Sequence, residues 1–175
     1  MALFVSYASD AILFMRTMKS LDYLPPMIIG DSAGFSDSSF LPAVGSFSKG
    51  LVNRSVWSKG PPGSLSAGVN AIYQAKTGNE ISDVSGRCIQ AFFVLADAVN
   101  RAGSADPVKL QVALKATAMP HSAMIIGYRG VRFDDTGQNV ESATYLTQLQ
   151  GKDYVTIWPD DAAVAKVEWP MAGWR

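Results

Sequence analysis

The order of the apolar segments in the first thirty residues restricts the fold. Residues 2–7 form a short apolar run typical of a buried strand, and residues 27–30 form another directly after Pro25 and Pro26. Between them, residues 10–21 are dense enough in apolar side chains for a mostly buried helix. A strand, a helix and a second strand in this order predict a right-handed crossover and a parallel sheet. The chain is therefore expected to be an α/β protein.

The loop after the second predicted strand is a candidate ligand site. Residues 30–34, Gly-Asp-Ser-Ala-Gly, lie just past the carboxyl end of that strand, where ligands of open α/β sheets collect. Backbone N–H groups freed by the glycines could reach an anionic group there, although an ordinary turn after a strand fits the same residues. The sequence contains neither GxGxxG nor GKS/T, so a nucleotide ligand is not expected.

Local signals mark the ends of the predicted helices. Ser9 and Asp10 are expected to cap the first helix, because their side chains can accept hydrogen bonds from its free N–H groups. Asp106 is expected to cap the last helix, with Pro107 at its first position. Gly103 is expected to end the longest helix.

The middle of the chain is predominantly helical. After a predicted strand at 50–57, helices are predicted at 69–76, 87–102 and 108–116, and residues 119–121 are expected to be a loop. Three consecutive helices need a sheet to cover, and this chain does not obviously supply one. We therefore expect the three helices to present exposed apolar surface.

Residues 130–139 begin as a strand, stop at a turn and continue. The turn is predicted at residues 134–137, where Asp side chains can cap their own backbone and a Gly can take a positive φ. Two further strands are predicted at 145–150 and 154–158, joined by a short hairpin connection. Because helices precede segment 130–139 and strands follow it, we expect it to carry the chain between two packed bodies.

Composition and the residue inventory exclude several functions. The chain carries 15 Lys and Arg against 15 Asp and Glu, so it lacks the positive charge of a general nucleic-acid surface. Cys88 is expected as a small apolar helix residue, His121 as a loop residue, and Asp134 and Asp135 as turn residues. A Cys88–His121 dyad stays formally open, with Arg87 as the thiol's only obvious positive neighbour. We expect no enzyme activity, no cofactor and no metal site.

Several short pieces, in matching order and spacing, resemble one family. The pieces are residues 10–19 followed by 25–30, residues 94–104 followed by 106–107, residues 131–139 and 148–151, and the Trp-Pro pairs at 158–159 and 169–170. They look like the second-lobe β-α-β unit, the long first-lobe helix and the carboxyl-terminal signature of bacterial periplasmic solute-binding proteins. The type is that of branched-chain amino acid importers driven by ATP. The resemblance covers essentially all 175 residues, but only the carboxyl-terminal half of a family member.

The resemblance implies parts of two Rossmann-like lobes of a type I periplasmic binding protein, with an incomplete first lobe. Residues 1–52 and 140–175 are assigned to the second lobe, and residues 58–130 to the helical remainder of the first. The chain is expected to cross between lobes near residues 51–57 and 131–139. On this template the sheet that the helices cover lies in a segment upstream of residue 1, which also explains the abrupt start.

The family's ligand residues carry over position by position. Tyr7 stands where the family has an aromatic residue, which packs on an apolar ligand group and bonds a carboxylate, although an ordinary strand-end residue also fits. The acid that pairs with a ligand ammonium aligns with Ser32 or Ala33 rather than Asp31, which favours an aromatic or other organic acid over an α-amino acid. Arg87 could reach a carboxylate or be a solvated helix-start residue. The expected ligand-binding set is Tyr7, Asp31, Ser32, Ala33, Gly34, Phe35 and Arg87.

The resemblance implies the substrate-binding component of an ABC transporter, here as a fragment. It would capture a small organic acid or amino acid between two hinged lobes, in a periplasmic full-length parent that partners an ABC permease. The chain as given lacks a signal peptide, and its exposed apolar helices predict a homodimer. The alternative is a cytoplasmic small-molecule sensor of the same fold that is coupled to regulation.

Overall fold

A computed structural model of the chain describes residues 1–174 and divides them into two compact units. The first unit contains Met1–Ser58 and the residues from Tyr145 onward, and the second contains Lys59–Thr144. The chain therefore passes between the units at Ser58 and again at Thr144. The assignment of these units to the two lobes of a binding protein remains a proposal.

The first unit is built on a five-stranded sheet. In chain order its elements are β1 (Ala2–Val5), α1 (Ala8–Ser20), β2 (Ile28–Asp31), α2 (Phe40–Val44), β3 (Val52–Ser55), β6 (Tyr145–Gln150) and β7 (Asp153–Trp158). The strands lie in the order β1-β2-β3-β6-β7. β1, β2 and β3 are parallel neighbours, whereas β6 and β7 add to them as antiparallel strands. The predicted strand–helix–strand unit with parallel pairing is confirmed. The predicted burial is wrong, because no residue of β1 is buried and α1 buries only Ala11, Met15 and Met18.

A compact apolar core fixes α1 onto this sheet. Ala11 and Met15 from the helix are fully buried, as is Ile28 from the central part of the sheet. The same core includes Phe35, Phe40 and Leu51 among its buried members. Full burial of such side chains contributes roughly 1.5–3 kcal/mol each for the large aliphatic and aromatic ones.

The carboxyl-terminal segment packs back onto the first unit through Gln148. Its side-chain nitrogen donates to the carbonyl oxygens of Gly50 and Glu168, at 2.8 and 2.9 Å, and its oxygen accepts from the Glu168 N–H at 2.8 Å. Further along, the Met171 N–H donates to the Pro26 carbonyl at 2.9 Å. The Gln148 side chain is fully buried, and both its nitrogen and its oxygen are hydrogen-bonded. It therefore holds the carboxyl-terminal segment against the first unit.

The second unit consists of three helices and a two-stranded antiparallel sheet. The elements are α3 (Leu65–Thr77), α4 (Asp83–Ala102), α5 (Pro107–Lys115), β4 (Ala118–Pro120) and β5 (Gly130–Arg132). All three predicted helices are confirmed, with α3 and α4 beginning four residues earlier than predicted. Gly103 ends α4 in the left-handed conformation, and Asp106 caps α5 by accepting from the Val108 and Lys109 N–H groups.

Polar side chains join the elements of the second unit. Arg101 of α4 donates to the Ala113 carbonyl of α5 at 2.7 Å and to the Thr117 hydroxyl at 2.9 Å. Gln90, buried on the same helix, accepts from the Ile125 N–H at 2.8 Å. The opposite face of α4 stays exposed, with Phe92 at 64% of its surface. The expected apolar surface on these helices is therefore present.

Several local predictions are wrong. Ser9 and Asp10 do not cap α1, because the helix begins at Ala8 and Tyr7 occupies the cap position without a side-chain bond. Residues 119–121 were expected to be a loop, but residues 119 and 120 belong to β4, because β5 supplies an antiparallel partner that local patterns do not reveal. The helix α2 was not predicted, since its five residues are too few for a periodic pattern.

Residues 130–139 were expected to carry the chain between two packed bodies, and the structure gives them a different role. The turn is present: Asp134 accepts from the Thr136 and Gln138 N–H groups, and Gly137 has a φ of 84°. However, Phe133 pairs antiparallel with Asn139, so the segment is a hairpin within the second unit rather than a link between units. In the part of the chain that the structure describes, no helix combines the length and the apolar character needed to cross a membrane.

Candidate ligand-binding edge of the first unit

Tyr7 and the loop after β2 lie at the same edge of the sheet, where the parallel strands β1 and β2 end. Two backbone hydrogen bonds hold these segments together: the Ser6 N–H donates to the Asp31 carbonyl at 3.3 Å, and the Gly34 N–H donates to the Ser6 carbonyl at 3.1 Å. The Tyr7 side chain is 74% exposed at the start of α1. Six of the seven expected ligand-binding residues are thus adjacent in this edge.

The Gly34 N–H is not available to an anion in this arrangement, because it is bonded to Ser6. Gly34 itself lies so close to the β1–α1 connection that an added Cβ would approach the Ser6 carbonyl oxygen to 2.5 Å. Ala33–Phe35 forms one 3₁₀ turn. This glycine is therefore required for close packing of the loop rather than for exposing a donor.

Phe35 has a structural position that sequence reasoning did not anticipate. Its side chain is fully buried and makes an edge contact with Phe40, with ring centroids 5.4 Å apart. A ligand contact through that ring is not supported by this geometry, because the ring belongs to the core of the unit. Its carbonyl accepts a 2.8 Å hydrogen bond from Tyr154 of β7, and burial raises the pKa of that phenol.

Asp31 and Ser32 form the polar part of the edge. One Asp31 carboxylate oxygen accepts from the Ser32 N–H and from Arg54 Nε of β3, both at 2.6 Å. Ser32 has φ 80° and ψ −179°, a region that is essentially restricted to glycine. Such a conformation costs on the order of 1–3 kcal/mol and persists where surrounding contacts impose it. Arg54 was not among the expected residues, because it lies 23 residues further along the chain.

Within the described residues 1–174, two further polar atoms near this edge are buried without a hydrogen-bond partner. They are Ser6 Oγ, just after β1, and Asn53 Oδ1 on β3. Buried polar groups are hydrogen-bonded in the large majority of cases, so each such atom is a local departure from the usual pattern.

Arg87, the remaining expected residue, lies in the second unit near the start of α4. Its Nη2 is 2.7 Å from a carboxylate oxygen of Asp83, which is almost completely buried. The Arg87 side chain is 39% exposed and the Asp83 side chain 4%, so the contact gives Arg87 a structural role beside a buried carboxylate. A ligand role for Arg87 stays a prediction.

The other residues considered for chemistry have ordinary surroundings. His121 is exposed, and its Nδ1 donates to the Tyr128 carbonyl at 2.8 Å. Cys88 lies on α4 as expected, but its thiol is exposed. Hydrogen bonds from the Thr136 side chain and the backbone of the turn lower the pKa of Asp134, consistent with its turn role. Among residues 1–174, no group of three or more His, Cys, Asp or Glu side chains could hold a metal ion.

Comparisons with known proteins agree with the resemblance drawn from the sequence. No family model matches the chain. A Leu/Ile/Val-binding protein homolog from Brucella abortus is 30% identical over 171 residues, which is 93% of this chain and 41% of that protein. A leucine-binding protein from Thermotoga maritima aligns with a TM-score of 0.71 at 20% identity, covering 91% of this chain and 45% of that structure.

The expected resemblance to the branched-chain amino acid type of solute-binding protein is confirmed. A branched-chain amino acid transporter substrate-binding protein from Streptococcus pneumoniae, solved with isoleucine, also aligns with a TM-score of 0.71 at 17% identity, over 97% of this chain and 44% of that structure. The fold is therefore that of part of a type I periplasmic binding protein. The relatives are named as binding proteins rather than as enzymes. The chain spans about two fifths of the length of the curated relative, at 41%.

Proposed function

We propose that the full-length protein is the substrate-binding component of an ABC importer and that this chain contributes one side of its ligand site. Tyr7 and residues 31–34 of the loop would contact a small organic acid or amino acid, while Phe35 holds the loop from the core. The observation that carries the proposal is the pair of backbone bonds that join Ser6 to Asp31 and Gly34, which bring the expected ligand residues to one sheet edge.

The chemistry of this edge supports binding rather than catalysis. An exposed phenol offers an apolar ring face and a hydroxyl that can donate to a carboxylate. Asp31 and Arg54 supply opposite charges at 2.6 Å, so the edge can orient a charged ligand without any covalent step. Capture would then proceed by hinged closure of the two lobes of the full-length protein.

Two further parts of the proposal follow from the same relatives. The ligand-loaded protein would deliver its ligand to an ABC permease, and the full-length parent would act in the periplasm. A cytoplasmic sensor of the same fold is the alternative, but the relatives' names favour transport.

Self-association of this chain is also proposed. Phe92, Leu95 and Val99 recur at intervals of three and four residues on the exposed face of α4, which forms one apolar stripe. Such a stripe favours contact with a second copy of the chain.

The test of ligand binding is a thermal-shift screen of the full chain against amino acids and organic acids, followed by Tyr7→Ala. We expect at least one compound to raise the melting temperature and the Tyr7→Ala variant to lose most of that shift. Tyr23→Phe, a change to an exposed tyrosine outside the edge, is the matched control and should retain the shift. If no compound in either class stabilises the chain, or if Tyr7→Ala retains the whole shift, the proposal is wrong.

A further inference from the structure

The ion pair of Arg54 and Asp31 spans two parallel strands at the candidate edge. Asp31 is the last residue of β2, and Arg54 lies on β3, one residue beyond the paired Gly30 and Asn53. Arg54 Nε is 2.6 Å from Asp31 Oδ1, and the two side chains are 30% and 35% exposed. The pair is thus accessible from solvent and is held by strands rather than by flexible loops.

The bond to Asp31 uses one of the five N–H donors of the Arg54 guanidinium. An arginine side chain carries five N–H donors, and a single one, on Nε, is directed to Asp31. Within residues 1–174, the structure records no other side-chain hydrogen bond of Arg54, and its terminal nitrogens are not among the buried unsatisfied atoms. The two Nη groups therefore face solvent as a planar fork, the geometry that binds a carboxylate with two parallel hydrogen bonds.

Asp31 is poorly suited to receive a ligand ammonium. Its Oδ1 already accepts two hydrogen bonds at 2.6 Å, from Arg54 and from the Ser32 N–H. The positive charge of Arg54 compensates the carboxylate, so a second cation placed beside it would also be repelled by the guanidinium. An anionic group near the Nη atoms would likewise meet the negative charge of Asp31, but it would gain up to four unused N–H donors of Arg54, whereas an ammonium would gain only Asp31 Oδ2.

We propose that Arg54 is a specificity-determining residue of this edge, which binds the carboxylate of the ligand. The site would accordingly prefer an organic acid without an α-ammonium group over the corresponding amino acid. This inference rests on the proposed binding function and deepens it by naming the ligand class. Asp31 acts as a positioning residue, since it holds both the guanidinium and the strained Ser32 backbone.

Three compounds with the same carbon skeleton separate the two charges of an amino acid. They are 4-methylpentanoate, which has only the carboxylate, L-leucine, which has both groups, and 4-methylpentan-1-amine, which has only the ammonium. Each is titrated into the full 175-residue chain while backbone amides and arginine Nε–H signals are followed by NMR. Millimolar affinities are measurable in this way, so weak binding by a partial site is not a barrier.

We expect 4-methylpentanoate to bind at least about tenfold more tightly than L-leucine, and the amine to produce no shift at Arg54 or Ser32. Arg54→Gln should weaken 4-methylpentanoate by roughly 10–100-fold, as expected for the loss of a charged hydrogen bond. Arg54→Lys should give an intermediate loss, since it keeps the charge but not the fork. The matched control is Arg132→Gln, which removes an exposed arginine–glutamate pair at 2.7 Å in the second unit and should change nothing.

Each other outcome overturns the inference. If L-leucine binds as tightly as 4-methylpentanoate, Arg54 does not select against the ammonium, although Tyr7-dependent leucine binding would leave the proposed function intact. If Arg54→Gln folds and binds like the unchanged chain, Arg54 is not a ligand residue. If that variant does not fold, the affinities of the three compounds for the unchanged chain still show whether the site prefers a carboxylate without an ammonium group. If none of them binds, the inference fails, whereas the proposed function is decided separately by the wider thermal-shift screen.

Discussion

The side-chain hydroxyl of Tyr154 donates a 2.8 Å hydrogen bond to the backbone carbonyl of Phe35. This bond joins β7, at one edge of the sheet, to the loop that follows β2. The loop is therefore fixed from both sides: by Tyr154 at Phe35 and by Ser6 at Gly34. A ligand that meets this loop meets a surface that is already ordered.

Replacing Tyr154 by Phe removes this hydrogen bond and leaves the Phe35 carbonyl without its side-chain partner. We expect the free energy of unfolding to fall by about 1 kcal/mol, the typical net value of a buried hydrogen bond. Urea denaturation followed by tryptophan fluorescence measures the change. Tyr23→Phe is the control, because Tyr23 is exposed and should tolerate loss of its hydroxyl. An unchanged Tyr154→Phe midpoint would show that the bond does not hold the loop.

The same tyrosine predicts a change of stability in alkaline solution. Burial raises the pKa of Tyr154 above the ordinary value of 10.0, so the unfolded chain loses this proton first as the pH rises. The free energy of unfolding should therefore be unaffected by this group below about pH 10 and should fall above it. Tyr154→Phe should show a shallower fall between pH 9.5 and about 11. Equal slopes for the two proteins would contradict the assignment.

Gly30 is required by the position of Phe35. A Cβ at residue 30 would lie 2.4 Å from the Phe35 ring, which is fully buried and cannot move aside freely. Gly30→Ala should lower the free energy of unfolding by about 1–3 kcal/mol, the usual range for overpacking. Gly68→Ala is the control, because Gly68 lies within α3 with nothing near its Cβ position. That change should raise stability by up to about 1 kcal/mol. A neutral Gly30→Ala would be inconsistent with the described packing.

The turn at Asp134 predicts an acid-sensitive hairpin. Bonds from the Thr136 side chain and the Gln138 and Thr136 backbone lower the pKa of Asp134, so its carboxylate stabilises the folded turn. This contribution is present above the unfolded value, 3.8, and is lost as the pH falls through the lower folded pKa. Asp134→Ala should reduce amide hydrogen-exchange protection in β5 at neutral pH, whereas Asp135→Ala should not. Equal effects of the two changes would refute a specific role for Asp134.

The exposed stripe of α4 predicts self-association. Phe92 is 64% exposed and lies at the amino-terminal end of the stripe. A charge there should oppose burial, so Phe92→Asp should weaken self-association about tenfold or more in sedimentation velocity. Asn100→Asp adds the same charge elsewhere on the helix and is the matched control. A chain that is monomeric at all concentrations without any substitution would contradict the proposed homodimer.

Local and periodic signals predicted much of the fold. The parallel strand–helix–strand unit, the long helix ended by Gly103 and the Asp106 cap all depend on residues close in sequence, and all are confirmed. Strand β4 was missed because its partner, β5, is supplied about ten residues later and its sequence includes a proline. The α4 start was placed too late because its capping box uses Ser82 and Ser85, a pair without the usual acidic residue.

The candidate site was predicted only in part, because some of its contacts join residues that are far apart in the sequence. The loop after β2 was predicted from its position at the carboxyl end of a parallel strand, whereas Tyr7 was placed by the resemblance to the family. The Arg54–Asp31 contact depends on the register of β3 against β2, which no local pattern encodes. The positive φ of Ser32 is equally hidden, because serine does not signal that conformation as glycine does.

The most direct test of the account maps the ligand site on the full chain by NMR. Amide signals are assigned, and the compound that gives the largest thermal shift is titrated. We predict chemical-shift changes that saturate and are concentrated at Tyr7 and residues 31–35, with weaker effects in the second unit. Saturating changes that leave this sheet edge unaffected, or no changes with any amino acid or organic acid, would contradict the claim that it is a ligand site.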